Sequence, residues 1–224
     1  MKPIGPAFVF DLDGTLVDSV YQHVVTWSEA LQQAGIDLSL WKIHRRIGMS
    51  GGLLTHALLR EAGRGIDQAI LRQVQEKHTE LYLQRVGTVR PLPGARELLA
   101  FLTGAGVPWS IATSGRAATA QPVLDLLAVP EGTTIVTHEE VAHAKPDPDL
   151  FLEAARRMGV SVEDLVIVGD SVWDLLAARR ARALGIALLS GGYGRAELEA
   201  AGAYRIYEDP AEFLAHLDEV GVRS

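Results

Sequence analysis

The 224-residue sequence contains no cysteine, which excludes a disulfide framework, a thiolate metal site and catalysis by a cysteine nucleophile. It also lacks an excess of positive charge, because 21 lysine and arginine residues stand against 28 aspartate and glutamate residues, giving a net charge of −7. That balance disfavours a general attraction to nucleic acid or to an anionic membrane. No stretch approaches the about 18 apolar residues of a membrane span, and the first residues do not form a signal-peptide pattern. We therefore expect a cytoplasmic protein that recognises its ligand locally.

Five short apolar runs predict the buried strands of a parallel sheet, because each is continuous and stops at a polar or glycine-rich segment. The runs are Ala7–Phe10, Pro108–Thr113, Thr133–Thr137, Leu165–Val168 and Ile186–Leu189. Helical patterns follow at Gly94–Leu102, Ala117–Leu127, Asp149–Met158 and Val172–Leu184. The alternation of strand and helix predicts an α/β fold with a doubly wound, Rossmann-like sheet.

Residues 18–90 interrupt this alternation and predict an all-helical insert. Four amphipathic stretches lie there, at Val20–Gln33, Leu40–Ile47, Leu53–Ala62 and Asp67–Val86. The proline-rich turn at residues 91–94 marks the return of the α/β pattern. We therefore assign residues 1–17 and 91–224 to an α/β core and residues 18–90 to a helical insert.

Two carboxylates follow the first predicted strand, where an open parallel sheet binds its ligands. Asp11 and Asp13 are two residues apart, so they point to one side of the chain and are separated by about 7 Å along it. One carboxylate can attack phosphorus to form an aspartyl-phosphate, and the other can protonate the leaving oxygen and then deprotonate water. Taken alone, the pattern is equally compatible with a surface turn, since Asp-Gly is a common turn dipeptide.

The next strand ends supply candidates for holding an anion. Thr113, Ser114 and Gly115 offer a hydroxyl and backbone N–H groups at the start of a helix. Lys145, in a proline-rich loop, offers a fixed positive charge. In isolation, both features are more typical of a helix cap and of a surface lysine.

The end of the fourth predicted strand carries two further acidic residues. Asp170 directly follows the strand, and Asp174 stands three residues after Ser171, a spacing that also suits a helix cap. Four aspartates beside a phosphate, with Lys145 as the opposing charge, would repel the substrate unless a cation were present. All-oxygen ligands and a phosphate partner predict Mg²⁺.

These motifs, in this order, resemble those of the haloacid dehalogenase superfamily, in its branch of phosphoglycolate-phosphatase-like and β-phosphoglucomutase-like proteins with a helical cap. The resemblance covers essentially the whole chain and rests on the four motifs Asp11-Leu12-Asp13-Gly14-Thr15-Leu16-Val17-Asp18-Ser19, Thr113, Lys145-Pro146-Asp147-Pro148-Asp149, and Gly169-Asp170-Ser171 with Asp174. It implies a cap, formed by the insert, that closes over the site and excludes water.

The resemblance also implies a role for each motif residue. Asp11 would be the nucleophile and a metal ligand, and Asp13 the general acid and base that lends its backbone carbonyl to Mg²⁺. Asp170 would complete the metal site, and Asp174 would orient Lys145 or a metal-bound water. The groups implied to hold the transferring phosphoryl group are Thr113, the Ser114 N–H and Lys145, and Gly115 is a further candidate for substrate binding.

Two residues outside the metal site are candidates for substrate binding. His23 flanks the apolar stripe of Val20, Val24, Trp27 and Leu31, so a buried structural histidine is equally compatible with the pattern. Similar mutases and sugar-phosphate phosphatases also carry a His and a Trp here, which favours a polar, sugar-like substrate. Arg116 follows the second motif and either reaches the far end of the substrate or is a solvated surface charge.

The resemblance favours a Mg²⁺-dependent phosphatase that hydrolyses a small phosphorylated metabolite, such as a sugar phosphate or phosphoglycolate, through an aspartyl-phosphate. One alternative is a phosphomutase. Mutases of this branch carry an arginine in the cap loop that holds a second phosphate; the matching position here is Gly51, although Arg46 could substitute for that arginine. Another is a non-catalytic binding protein on the same scaffold. A dehalogenase is disfavoured because Asp13 is present. The physiological substrate and the oligomeric state do not follow from the sequence.

Overall fold

A computed structural model describes residues 5–63 and 67–222, so the extreme ends of the predicted core lie outside the described residues. Its centre is a six-stranded sheet with the order β5-β4-β1-β6-β7-β8, and every neighbouring pair is parallel. A separate antiparallel pair joins β2 and β3. The strands are β1 (Ala7–Phe10), β2 (Val17–Asp18), β3 (Arg90–Pro91), β4 (Trp109–Ala112), β5 (Ile135–Val136), β6 (Leu165–Gly169), β7 (Leu184–Leu188) and β8 (Arg205–Tyr207).

Ten α-helices within the described residues complete the fold. They are α1 (Val20–Gln33), α2 (Leu40–His44), α3 (Gly51–Glu61), α4 (Gln68–Arg85), α5 (Ala95–Gly104), α6 (Ala117–Leu124), α7 (Asp149–Met158), α8 (Val172–Ala181), α9 (Arg195–Ala201) and α10 (Pro210–Ala215). In this part of the chain, no helix is long and apolar enough to cross a membrane.

Both faces of the central strand are covered, which explains its continuous apolar sequence. Phe8 and Phe10 of β1 point to one face and pack in a cluster that includes Phe213 of α10. Ala7 and Val9 point to the other face and pack with residues of α7 and α8. The sheet with helices on both faces confirms the predicted doubly wound, Rossmann-like fold.

Several boundaries differ from the sequence prediction, among them those of α8 and β7. The helix predicted to reach Leu184 ends at Ala181, because Arg182 adopts a left-handed conformation with φ of 61°. Leu184 instead begins β7, where it pairs with Val166 of β6. The sixth strand, β8, was not predicted, since it has three residues, lies at the sheet edge and begins with a charged side chain.

Helices α1 to α4 form a block with its own apolar core. That core contains Leu31, Ile43, Leu58 and Val74, and it also buries the predicted stripe of α1. The block lies between β2 and β3, whose pairing brings the two connections to the sheet side by side. We refer to residues 18–90 as the helical block.

Candidate functional site

A cleft that is open to solvent at its mouth lies between the helical block and the carboxyl edge of the sheet. Parallel strands end at one edge, so residues that are far apart in the chain meet there. Eight of the predicted site residues line the cleft: Asp11, Asp13, His23, Thr113, Ser114, Gly115, Arg116 and Asp170. The other two, Lys145 and Asp174, are fully buried beside it.

Three carboxylates and one ammonium group form the buried floor of the site. Asp11, Asp170 and Asp174 each place a carboxylate oxygen within 4.8 Å of the others. The Lys145 Nζ lies 2.6 Å from Asp11 Oδ1 and 2.8 Å from Asp174 Oδ1. With all groups ionised, the floor carries two uncompensated negative charges.

The pKa values of the floor residues reflect this imbalance. Burial raises the pKa of Asp11 to about 7; Lys145 opposes the rise and Asp174 adds to it. Burial, followed by the charges of Asp174 and Asp11, raises the pKa of Asp170 well above its usual value. Burial alone would lower the pKa of Lys145, but the charges of Asp11 and Asp174 outweigh it and raise that pKa. An added cation would favour the ionised carboxylates.

The donor set fits the predicted Mg²⁺, which is a hard cation that takes oxygen ligands and uses few carboxylates. Asp11 and Asp170, both predicted ligands, offer oxygens here, and Asp174 offers a third. The carboxylate of Asp13 is not in this group of described residues; its predicted contribution is a backbone carbonyl.

Asp13 instead interacts with the helical block. The Ser19 hydroxyl donates a 2.6 Å hydrogen bond to Asp13 Oδ1, and His23 Nε2 lies 3.1 Å from the same oxygen. Burial would raise the pKa of Asp13, but His23, by charge and hydrogen bond, together with Ser19 holds it below its usual value. His23 Nδ1 lies 3.1 Å from His78 Nε2, and the His23 ring stacks on Tyr82 with centroids 4.0 Å apart. His23 is therefore both a buried residue and a site residue.

The loop after β4 is tightly folded around the cleft. Thr113 is buried, and its Oγ1 accepts a 2.9 Å hydrogen bond from the Gly115 N–H. A side chain at position 115 would press on Thr113 Oγ1 at 3.1 Å. The Ser114 hydroxyl is directed to the helical block, where it donates to the Gly48 carbonyl at 3.0 Å.

Arg116 lies at the outer part of the cleft. It is exposed, lines the cleft, and donates a long 3.5 Å hydrogen bond to Gln75 Oε1 of α4. The side chain is therefore a solvated charge that also lines the cleft, and its contact with the far end of the substrate stays a prediction. Nearby, Trp27 and His78 stack with centroids 4.0 Å apart.

Asp174 combines a capping role with a role in the site. Its Oδ2 accepts hydrogen bonds from the Ser171 N–H at 3.1 Å and the Ser171 hydroxyl at 2.5 Å, which completes a capping box on α8. Its other oxygen faces Lys145. One carboxylate therefore fixes both the start of the helix and the position of the lysine.

Several site residues were not singled out from the sequence. Thr15 lies within the first motif and donates a 2.9 Å hydrogen bond from its hydroxyl to Asp170 Oδ1. His78 is a polar residue on the buried stripe of α4 formed by Leu71, Val74 and Leu81, and that interruption was a usable signal. Gly191 packs directly on the Asp170 carboxylate, a contact that no local pattern indicates.

Comparison with known proteins gives consistent matches. A family model described as haloacid dehalogenase-like hydrolase matches residues 6–182. Hexitol phosphatase A of Escherichia coli K12 is 32% identical over 166 residues, which cover 73% of this chain and 74% of that protein. A phosphoglycolate phosphatase of Xylella fastidiosa is 30% identical over 204 residues, covering 90% and 82%. The crystal structure of a hydrolase from Pseudomonas syringae has a TM-score of 0.94 and 49% identity, covering 97% of this chain and all of that one.

Proposed function

The chain belongs to the haloacid dehalogenase-like hydrolases and is a phosphoric monoester hydrolase, and we propose that it is a Mg²⁺-dependent phosphatase acting through an aspartyl-phosphate intermediate. The observation that carries this proposal is the placement of Asp11 at the floor of the cleft, 2.6 Å from the buried Lys145. Asp13 lines the same cleft. The proposed nucleophile, fixed cation and proton-transfer group thus lie together at one edge of the sheet.

The chemistry proceeds in two displacement steps. A carboxylate oxygen of Asp11 attacks phosphorus, the bond from phosphorus to the ester oxygen breaks, and Asp13 protonates the departing oxygen. Asp13 then removes a proton from water, the water oxygen attacks phosphorus, and the bond to Asp11 breaks. This releases inorganic phosphate, leaves Asp13 protonated and regenerates Asp11. Lys145, Thr113 and the Ser114 N–H hold the phosphoryl oxygens throughout.

The floor residues would hold the metal ion. Asp11 and Asp170 would supply carboxylate oxygens, with the backbone carbonyl of Asp13 as the expected third protein ligand. When bound, Mg²⁺ supplies positive charge that lowers the repulsion between the phosphoryl oxygens and the carboxylates. The two uncompensated charges of the buried floor support this assignment.

The helical block serves as a cap over the cleft in this proposal. The core then comprises residues 1–17 and 91–224, and the cap comprises residues 18–90. The β2–β3 pair is where the chain leaves and re-enters the core, and the block's separate apolar core supports a unit that moves as one body. Closure would exclude water while the phosphoryl group is transferred.

The substrate is a small phosphorylated metabolite whose leaving group lies towards the cap. The stacked rings of Trp27 and His78 suit the apolar face of a sugar, and Gln75 supplies polar contact. Arg116 suits a carboxylate, as in phosphoglycolate. Sugar phosphates and phosphoglycolate are therefore both candidate substrates, and their rates of hydrolysis can be compared directly.

The ion pair of Arg46 supports hydrolysis rather than phosphoryl transfer to a second sugar oxygen. Arg46, which could have replaced the missing mutase arginine, pairs at 3.4 Å with Glu61 of the same block. A mutase needs a cap cation for the distal phosphate, and this arginine is already paired. We therefore expect sugar phosphates to yield free sugar and inorganic phosphate.

A phosphate-release screen with and without chelator tests the proposed function. The substrates are hexose and hexitol phosphates, phosphoglycolate, nucleotides and pyrophosphate, with ³¹P NMR to distinguish released phosphate from an isomerised sugar phosphate. We expect release with Mg²⁺, its loss in excess EDTA, and recovery when Mg²⁺ is restored. Undiminished release in EDTA would contradict the metal assignment, and isomerisation faster than release would show a mutase.

The contact between Gly191 and Asp170 predicts a large effect of one methyl group. In Gly191→Ala the new Cβ would overlap Asp170 Oδ2, so the carboxylate must leave its present position in the floor of the site. Because a misplacement of about 1 Å can reduce turnover by about 10²-fold, we expect a loss of that size in kcat. The matched control is Gly194→Ala in the same loop, where the nearest atom, Glu197 Oε2, lies at an ordinary 3.5 Å. Equal activity of the two variants would show that Asp170 tolerates displacement.

A further inference from the structure

Arg45 of the helical block is held by two residues of the core. Its Nη2 lies 2.5 Å from Glu197 Oε1, and its guanidinium stands over the Tyr193 ring, 4.5 Å from the centroid. The Tyr193 hydroxyl in turn donates a 3.2 Å hydrogen bond to the Arg45 carbonyl. Side chain and backbone of this residue therefore both bind the segment after β7.

His44 binds the same core segment. Its Nε2 donates to the Gly191 carbonyl at 2.8 Å, and its ring stacks on Tyr21 of α1 with centroids 5.5 Å apart. We call the set His44, Arg45, Gly191, Tyr193 and Glu197 the latch. Two consecutive residues of the block are thus joined to the core segment that follows β7.

The chain that continues from the latch reaches the phosphoryl-binding groups. The Gly48 carbonyl accepts from the Ser114 hydroxyl at 3.0 Å, and the Ser50 N–H donates to the Lys145 carbonyl at 3.2 Å. Residues 44–50 are therefore fixed at one end by the latch and at the other by the two loops that hold the phosphoryl group. The position of the block and the position of these loops are linked.

The latch contributes no group to the cleft itself. Among the described residues that line the cleft, none belongs to the latch. The neighbouring Arg46 pairs within the block, with Glu61, and makes no ion pair to the core among the described residues. The Arg45 side chain therefore pairs with Glu197 of the core, whereas the side chain of the adjacent Arg46 pairs with Glu61 of the block.

We infer that Arg45 is a positioning residue, which holds the helical block on the core and so keeps the phosphoryl-binding loops in their working arrangement. The inference rests on the proposed phosphatase function only for its kinetic effect. The Arg45 side chain contributes an exposed ion pair and a cation–π contact; each is weak, and together they change the ratio of closed to open forms by about tenfold.

Loss of the latch should raise KM and leave kcat nearly unchanged. The apparent affinity falls with the fraction of molecules in the binding-competent form, whereas saturating substrate restores that form. For Arg45→Ala we expect KM to rise by up to about tenfold, the full effect applying where the open form predominates, with kcat within about twofold. Arg46→Ala is the matched control, with KM unchanged. Arg45→Lys, which keeps the charge, should recover part of the loss.

Hydrogen exchange of the substrate-free protein measures the latch independently of activity. The Ser50 amide is bonded across the interface, so a peptide containing it should exchange faster in Arg45→Ala and at the wild-type rate in Arg46→Ala. Glu197→Gln, which removes the partner charge without touching the block, should give the same direction of change. This readout also distinguishes failure of the latch from failure of the proposed function, because it needs no substrate.

Three results would overturn the inference: unchanged exchange at Ser50 in both latch variants, equal effects of Arg45→Ala and Arg46→Ala, or a fall in kcat without a rise in KM. If Arg45→Ala fails to fold, as shown by a lost thermal transition, the exchange and kinetics of Glu197→Gln decide the question alone.

Discussion

Asp11→Asn is expected to abolish turnover and to leave the fold intact. The amide cannot act as the attacking carboxylate, so no aspartyl-phosphate forms and both displacement steps are lost. Removing the nucleophile of an enzyme that works by covalent catalysis reduces kcat by orders of magnitude, and we expect a loss of at least about 10⁴-fold here. The measurement is phosphate release under saturating Mg²⁺ and substrate.

The structure explains why the fold should survive this change. The two side chains have nearly the same volume, and Lys145 keeps its second partner, Asp174 Oδ1, at 2.8 Å. Burial already raises the pKa of Asp11 to about 7, so its neutral form costs little in this setting. Circular dichroism and the thermal transition should therefore match the wild type.

Asp18→Asn is the matched control for Asp11→Asn. Asp18 belongs to the same motif, is exposed, and pairs through its backbone with Arg90 in the β2–β3 ladder. We expect wild-type turnover from it. If Asp11→Asn kept more than a small fraction of activity with an unchanged spectrum, a different residue would be the nucleophile.

The sequence predicted those parts of the fold in which a local pattern follows from burial. β1, β4 and β6 are covered on both faces, so their residues form continuous apolar runs that read directly as strands. β8 has an exposed arginine and β2 and β3 have two residues each, so none of them carries a pattern. These short strands are stabilised by pairing, β2 with β3 and β8 with β7. The folded chain brings these partners together, so the local sequence carries no sign of them.

The same distinction holds for the site. Asp11, Thr113 and Asp170 follow strands immediately, and Asp13 lies two residues after Asp11, so predicting the strands placed them at one edge of the sheet. Contacts between distant segments had no such signal. The Gly191 contact with Asp170 joins loops that only the folded sheet brings together, and the pair of His23 and His78 depends on how α1 packs on α4.

Asp13→Ala is expected to slow both chemical steps, because one side chain protonates the leaving oxygen and later deprotonates water. General acid–base catalysis contributes about 10² to 10⁴-fold, and we expect a loss in this range for an alkyl phosphate ester. In the free protein Ser19 and His23 hold the Asp13 pKa low. A phosphoryl dianion bound nearby opposes that effect, since a like charge disfavours the ionised carboxylate, and so helps Asp13 to carry the proton it must donate.

The two steps respond differently to the leaving group, which gives the prediction its sharpest test. The aryl oxide of an activated aryl phosphate leaves without needing a proton from Asp13, so the first step should be nearly normal in Asp13→Ala, while attack by water on the phosphoenzyme remains slow. We therefore expect a rapid burst of aryl alcohol equal to the enzyme concentration, followed by slow turnover and accumulation of phosphoenzyme. Asp13→Asn, which keeps the side-chain volume, should behave in the same way. Equal losses on the alkyl and aryl esters, with no burst, would contradict the assignment of Asp13 as the acid.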